Sequence, residues 1–577
     1  MSELAVLSGN EAIARGAIES GIKLATAYPG TPSTEIIEYI SQNTPDDVHV
    51  EWAVNEKVAL ETAIGASYAN VRALCAMKHV GVNVAADPLV SLAYTGVKGG
   101  LVLVAADDPG MHSSQNEQDS RFYAGFAKIP LLEPSDANEA RDMIREAFIL
   151  SEITQLPVML RTLTRLSHTS EVLVLESAEK QTHPTLDINR GEWVLVPAHA
   201  RERHEILNEK QDILLKYSQG SGFNREIKGE KKVGVIAAGL GFSYAMEYHE
   251  RDYPVLKIGS YPLPVNLIKN FLKDKREVIV LEEGEPFIED YVRCLHPKVK
   301  GKRSEDIPLE GELSPGIVSG LFNRKTKAGK KTRLRLPARP PVMCAGCPHR
   351  GTLYALKLNN PTIVTGDIGC YTLGFQKPLE ALDTCLCMGA SIGKAAGLSH
   401  SGLINVAAVI GESTFLHSGI TSLMSAVYND ANILVLILDN STVAMTGHQP
   451  TAASGVNIRG GKTKKISLEK VCKACGVKSV DVLHPYKVDE MSDLIKKRLG
   501  QKGVRVIIAR APCVILKGAD VGEPLVVKDC SGCKKCLNLG CPAISFNEET
   551  NSVEISPLCT GCGVCAIVCP SNAIVKK

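Results

Sequence analysis

Apolar residues recur along the chain in short unbroken runs separated by amphipathic stretches. The run at 24–29 (LATAYP) ends in a Pro-Gly-Thr-Pro turn, and Ser33 is positioned to cap a helix beginning near Thr34. The runs at 71–78 (VRALCAMK) and 100–107 (GLVLVAAD) read as buried strands, each followed by a glycine- or proline-bearing loop. A short strand at 50–54 (VEWAV) leads into an alanine-rich helix. This alternation predicts an α/β domain with a mostly parallel sheet over residues 1–190.

A charged helical stretch follows, then strand-like runs at 232–241, 255–259 and 277–285, which predict a second, smaller α/β domain over 191–297. Gly239 and Gly241 are a weak dinucleotide signal; a tight strand-to-helix turn is the stronger expectation. Residues 298–340 are rich in Lys, Arg, Gly and Pro without apolar periodicity, and read as a solvated basic linker. Strands at 404–411 (INVAAVIG), 433–440 (ILVLILDN) and 504–510 (VRVIIAR) mark a third α/β domain over 341–515. A cysteine-rich module, 520–577, ends the sequence.

Composition narrows the class. The 577 residues are 44% hydrophobic and 22% charged, ordinary for globular domains with large cores. A net charge of +2 gives no bulk electrostatic case for nucleic acid or a membrane surface. The opening MSELAVLSGNEAIARG lacks the basic and apolar regions of a secretory signal, and no apolar run is long enough to span a bilayer. With 18 cysteines and no such signal, the expected setting is a reducing cytoplasm with cysteines as metal ligands, in low-oxygen life.

Eight of those cysteines form two runs, Cys530-x2-Cys533-x2-Cys536-x4-Cys541-Pro542 and Cys559-x2-Cys562-x2-Cys565-x3-Cys569-Pro570. This is the spacing of a two-cluster ferredoxin, in which three cysteines wrap one 4Fe–4S cluster and the fourth crosses to the other. The expected sets are Cys530, Cys533, Cys536 and Cys569 for one cluster, and Cys559, Cys562, Cys565 and Cys541 for the second. Zinc also takes Cys-x2-Cys pairs, but uses two pairs rather than two triplets with an exchanged fourth ligand. The chemistry implied is single-electron transfer.

The third domain carries a second signal. The strand at 404–411 runs into Gly411-Glu412-Ser413, and 28 residues after Glu412 the next strand runs into Asn440. An acid and an amide at the carboxyl ends of two parallel strands suit the magnesium diphosphate of thiamine diphosphate, because hard Mg²⁺ takes oxygen ligands and phosphate together. The usual pattern is Gly-Asp-Gly followed by Asn-Asn, so Glu412 is one methylene longer than expected. Such enzymes also need a carboxylate beside the aminopyrimidine. Glu56, opening the alanine-rich helix, offers one, although a glutamate there also serves as an ordinary N-terminal helix charge.

Beyond these patterns the chain resembles the large (alpha) subunits of the indolepyruvate:ferredoxin oxidoreductases, in the 2-oxoacid:ferredoxin oxidoreductase superfamily. The matching stretches are YPGTPSTE (28–35), NEKVALETAIGAS (55–67), MKHVGVNVAADP (77–88), SSQNEQDSR (113–121), CAGCPHR (344–350), GDIGCYTLG (366–374), MGASIG (388–393) and AMTGHQP (444–450). The resemblance implies an α/β multidomain fold. It would comprise a pyrimidine-binding thiamine domain, a transketolase-C-like domain, a diphosphate-binding thiamine domain and a ferredoxin-like α+β module. It also implies a smaller beta subunit, ferredoxin as acceptor and a dimer of heterodimers. By position, Glu56 resembles the glutamate that activates the aminopyrimidine. Glu412 and Asn440 resemble magnesium ligands, with the Thr442 carbonyl as a third. Gly411, Met388 and Gly389 fall in the cofactor-binding stretches. Thr31 resembles the hydroxyl residue that meets the 2-oxoacid. His79 and Arg121 are candidates for holding the substrate carboxylate or coenzyme A, with a capped loop histidine and a surface salt bridge as the competing expectations.

Cys344, Cys347, Cys370 and Cys513 occupy places comparable to those that hold a further 4Fe–4S cluster beside the thiamine in related pyruvate enzymes. Four separate buried thiols are the competing expectation. Cys75, Cys294, Cys385 and Cys387 read as core. The reaction implied is oxidative decarboxylation of aryl 2-oxoacids, such as indolepyruvate, to aryl-acetyl-CoA and CO₂ with reduction of ferredoxin. Two alternatives stand beside it: a non-oxidative thiamine decarboxylase with structural clusters, and an electron-transfer subunit whose thiamine site has decayed.

Overall fold

The computed structural model describes residues 3–181, 183–248, 252–322, 340–516, 518 and 522–576. The chain divides into two compact units, Met1–Arg335 and Leu336–Lys577.

The first unit is built on a seven-stranded sheet in the order Ser260–Tyr261, Leu131–Leu132, Val158–Leu163, Leu101–Asp107, Ala73–Lys78, Leu24–Ala27, His49–Trp52. Its strands pair in parallel except Ser260–Tyr261, which runs antiparallel to Leu131–Leu132. Leu101–Asp107 is buried at every position, as a strand covered on both faces must be. Ser33 precedes the helix Thr34–Asn43 without capping it. Its hydroxyl donates to the Gly30 carbonyl instead, while Thr34 Oγ1 accepts from Gly30 N.

A second sheet in the same unit has the order Val299–Lys300, Glu277–Leu281, Val233–Ala238, Val255–Ile258, Arg225–Ile227. The stretch expected to begin a linker at residue 298 therefore continues this domain. Val299–Lys300 adds an edge strand, and the helix Pro315–Leu321 packs Val318 into the core. The remainder of that expectation, 323–339, lies outside the described residues. Gly239 and Gly241 are packing glycines: a Cβ would lie 2.9 Å from Glu133 Oε1 at the first and 2.5 Å from the Leu281 carbonyl at the second.

A buried ionic network ties the two sheets together. Arg161 Nε donates to Asp107 at 2.7 Å, its Nη1 to Glu133 at 2.5 Å and its Nη2 to the Glu283 carbonyl at 3.2 Å. Tyr261 Oη donates to Glu133 at 2.6 Å. Breaking one member of such a network leaves uncompensated buried charge. Arg161→Met is expected to cost about 3–5 kcal/mol and to lower the thermal unfolding midpoint of the chain. An unchanged midpoint would show that the network is energetically idle.

The second unit carries an all-parallel sheet in the order Ile363–Thr365, Val406–Gly411, Ile433–Asp439, Val504–Arg510, Ser479–Leu483. After it come two small antiparallel pairs, Leu525–Val527 with Ile574–Lys576 and Ile544–Asn547 with Ser552–Ile555. This cysteine-bearing module shares a core with the sheet domain: Leu525, Leu539, Val553 and Ile574 belong to the same buried cluster as Leu353, Leu356 and Met491. Arg350 Nη1 donates to the Leu539 carbonyl at 2.6 Å across that core. No helix among the described residues is long and apolar enough to cross a membrane.

Candidate active site

In the first unit, neighbouring parallel strands end together. Leu24–Ala27, Ala73–Lys78 and Leu101–Asp107 deliver the 28–31 turn, Lys78 with His79, and Asp108 to one carboxyl edge, where ligands collect in open α/β sheets. Glu56 opens the helix Glu56–Tyr68, whose N-cap Asn55 accepts from Val58 N at 2.9 Å. The glutamate is 5% exposed. Its carboxyl lies against Gly81, where a Cβ would come within 2.7 Å of Glu56 Cγ and 2.8 Å of Oε1. Glycine at 81 is what permits the carboxyl to sit there.

Around it, Thr31 is half-buried and its carbonyl accepts from Ser113 Oγ at 3.2 Å. Asp108 accepts from Ser113 N at 2.8 Å, Ser114 Oγ at 2.7 Å and Thr164 Oγ1 at 2.6 Å. Burial pushes this carboxyl up, but those hydrogen bonds and the Lys78 charge outweigh it and hold it below the usual carboxylate range. Lys78 donates to the Ser113 carbonyl at 3.1 Å. Burial draws its ammonium below the ordinary lysine range against the charges of Asp108 and Glu56.

Both candidates for the substrate carboxylate, Arg121 and His79, are buried here. Arg121 is 1% exposed and its guanidinium is committed. It donates to Asp119 at 2.9 Å from Nε, to Glu282 at 2.6 Å from Nη1, and from Nη2 to the carbonyls of Glu283 and Glu285 at 2.9 Å each. It is part of the buried network, its guanidinium held by two carboxylates and two backbone carbonyls. His79 is also 1% exposed, with Nε2 3.1 Å from the Asn116 carbonyl, so it ties down the 113–121 loop.

In the second unit Glu412 follows the strand Val406–Gly411, and Asn440 and Thr442 follow Ile433–Asp439. All three are buried. The Asn440 side-chain amide stands 3.1 Å from both Glu412 Oε2 and the Thr442 carbonyl, and with its nitrogen turned to them it donates to both. With its oxygen turned there instead, a hard cation would meet three oxygen ligands. Glu412 Oε1 is buried without a hydrogen-bond partner. Burial, and then the neighbouring Asp439 charge, push the Glu412 carboxyl up to about 8. Such a donor set fits a hard divalent cation.

Asp367, which sequence reasoning left without a role, organises the adjacent turn. Its Oδ1 accepts from Gly389 N at 2.9 Å and its Oδ2 from Ser391 N at 3.0 Å, fixing the start of the helix Ala390–His400 beside Met388. Gly389 has φ +84° and a Cβ there would meet Ser418 Cβ at 2.6 Å; Gly411 lies against the Tyr371 ring. The stretch GDIGCYTLG (366–374) contained the signal, but no role was assigned to its aspartate.

The thiols gather into sets. Cys530, Cys533, Cys536 and Cys569 line one pocket. Cys541, Cys559, Cys562 and Cys565 line another, whose wall also includes Cys347 and Arg350. Cys370 lies within electrostatic range of Cys344, Cys347 and Cys513, and Cys370 and Cys513 lie within range of Glu412. Cys513 Sγ is 3.8 Å from His448 Nε2. Among the described residues no group of three or more His, Cys, Asp or Glu side chains is arranged to hold a single metal ion. Cys294, Cys385 and Cys387 are exposed, not core; only Cys75 of that group is buried.

Comparisons with known proteins were consistent across the chain. Residues 15–212 match the family described as pyruvate flavodoxin/ferredoxin oxidoreductase, thiamine diP-bdg. Residues 367–509 match the thiamine pyrophosphate enzyme C-terminal TPP binding domain, and 556–575 the 4Fe-4S binding domain. The chain is 44% identical to indolepyruvate oxidoreductase subunit IorA of Archaeoglobus fulgidus, over 99% of this chain and 97% of that one. It is 40% identical to the subunit of the same name from Pyrococcus abyssi, over 100% of this chain and 97% of that one. Among solved structures it is similar to a 2-oxoglutarate:ferredoxin oxidoreductase from Magnetococcus marinus, at 17% identity and a TM-score of 0.46, over 56% of this chain and 65% of that one.

Proposed function

We infer the activity of this chain from one premise: it belongs to the family of indolepyruvate oxidoreductase IorA subunits. It is a subunit of a thiamine diphosphate-dependent 2-oxoacid:ferredoxin oxidoreductase, with iron–sulfur clusters to carry electrons. Beyond that, the proposed substrate is an aryl 2-oxoacid such as indolepyruvate, the acyl acceptor is coenzyme A, and the products are aryl-acetyl-CoA, CO₂ and reduced ferredoxin. A smaller beta subunit completes the enzyme as a dimer of heterodimers in the cytoplasm.

The observation that carries this reading is the buried convergence of the Glu412 carboxylate, the Asn440 amide and the Thr442 carbonyl beside the Cys344, Cys347, Cys370 and Cys513 set. The Glu412 carboxylate, the Asn440 amide oxygen and the Thr442 carbonyl would hold Mg²⁺, and the cation would anchor the diphosphate. Thiamine diphosphate, when bound, supplies the carbon nucleophile for the 2-oxo group and takes up the electrons left as CO₂ departs. Glu56, buried at its helix start, would hold a proton at the aminopyrimidine. An oxygen-donor site within electrostatic range of thiols favours an oxidative route over simple decarboxylation.

The two pockets of the terminal module support two 4Fe–4S clusters with exchanged fourth ligands, and the inner set supports a third. Cys347 lines the pocket of the 541/559/562/565 set as well as belonging to the inner set, which gives electrons a continuous route outward. Cys569→Ser tests the exchange. Anaerobically prepared protein is expected to lose about four irons per chain, the content of one 4Fe–4S cluster, from the site of the 530/533/536 run and not from that of 559/562/565. Spectra showing loss of the latter cluster would contradict the assignment. For the substrate, the enzyme co-purified with its partner should prefer indolepyruvate over an aliphatic 2-oxoacid in ferredoxin reduction; the opposite preference would refute the aryl reading.

A further inference from the structure

A 2-oxoacid brings a carboxylate that must be held while its carbonyl reacts, and the arginines at this end of the sheet are already paired. Arg121 and Arg161 are 1% and 0% exposed and spend their donors on Asp107, Asp119, Glu133, Glu282 and nearby carbonyls. Arg165 is paired with Glu312.

Lys78 is different. It is the last residue of the strand Ala73–Lys78, half-buried at the carboxyl edge of the sheet. Its methylenes pack on Gly30: a Cβ on that glycine would meet Lys78 Cγ and Cδ at 3.4 Å. That contact aims the side chain along the 28–31 turn that carries Thr31. Its ammonium donates to the Ser113 carbonyl at 3.1 Å, and Ser113 Oγ donates in turn to the Thr31 carbonyl at 3.2 Å. Lys78, Ser113 and Thr31 are therefore one hydrogen-bonded assembly. Asp108, whose charge acts on Lys78, accepts from Ser113, Ser114 and Thr164. Among the described residues Lys78 makes no ion pair, so two of its three donors remain for a ligand.

We propose that Lys78 receives the carboxylate of the 2-oxoacid substrate, with Thr31 beside it and Glu56 at the same strand edge. The inference rests on the 2-oxoacid reading above and names the residue that recognises this substrate class. A lysine suits the role, because a point charge on a flexible stem holds a carboxylate without imposing the planar geometry of a guanidinium.

The test uses the enzyme co-purified with its partner subunit, comparing the parent with Lys78→Met and Lys78→Arg. The probes are indolepyruvate, its 2-hydroxy acid analogue as a competitive inhibitor, and the carboxamide of that analogue, which has no charge. Removing one charge-assisted contact should raise KM for indolepyruvate, and Ki for the hydroxy acid, about 10- to 100-fold. The carboxamide Ki should change less than about threefold, kcat should hold within a few-fold, and Lys78→Arg should recover part of the KM loss. Equal weakening of acid and carboxamide, loss of bound thiamine, or a fall in kcat at constant KM would overturn the proposal. Failure of the parent enzyme to turn over any 2-oxoacid would instead remove the functional reading on which it rests.

Discussion

Replacing Glu56 with Gln leaves thiamine diphosphate bound and lowers turnover at least about a hundredfold, the scale of a lost positioned acid–base group. The substitution keeps size and hydrogen-bonding shape but removes a carboxylate that can carry a proton. Glu56 is 5% exposed, begins its helix at a side-chain-capped N-terminus and lies against Gly81, so the amide should occupy the same place. The check is steady-state turnover alongside thiamine content of the same sample. Near-normal turnover with full cofactor would reassign Glu56 to an ordinary helix N-terminal charge.

Glu412→Ala is expected to weaken thiamine diphosphate binding by at least about a hundredfold and to make residual activity depend on added Mg²⁺, since losing one ligand exceeds the 10- to 100-fold typical of losing a supporting partner. The argument is local. Glu412 and Asp439 are both buried, but Asp439 Oδ2 already accepts from Arg510 at 2.6 Å, whereas Glu412 Oε1 is without a hydrogen-bond partner. The carboxylate awaiting a counter-charge is therefore Glu412. Glu412→Asp should retain much of the binding, because aspartate is the usual residue in this pattern. Titration of the cofactor against both variants, with and without Mg²⁺, measures this; an Ala variant that binds as tightly as the parent would place the metal on other groups.

What could be read beforehand follows from how local each signal is. The strands ending at Asp107, Gly411 and Asp439 were legible because burial on both faces leaves an unbroken apolar run. The places of Glu412 and Asn440 at strand ends were legible because each closes such a run, and the gathering of the terminal cysteines into two pockets because their spacing is tied to one loop geometry. Arg121 was misread because its partner Glu282 lies 161 positions away, and no local pattern distinguishes a buried arginine from an exposed one. The strand Val299–Lys300 was hidden inside a basic stretch, since a two-residue edge strand needs no apolar run. Ser260–Tyr261 joins the first sheet from the second domain through an antiparallel pair that sequence periodicity does not encode. Cys385 and Cys387 took their expected burial from residue type alone, and the turn that Asp367 organises leaves them exposed.

The most direct test of the account is the fate of the carbon skeleton and the electrons in one anaerobic reaction. The enzyme, co-purified with its partner subunit, is given indolepyruvate, coenzyme A and oxidised ferredoxin, and the products are quantified. The account predicts indole-acetyl-CoA and reduced ferredoxin formed together in a fixed ratio, both ceasing when coenzyme A is withheld. Indole-acetaldehyde as the principal product, with ferredoxin left oxidised, would contradict it and assign the chain to non-oxidative decarboxylation.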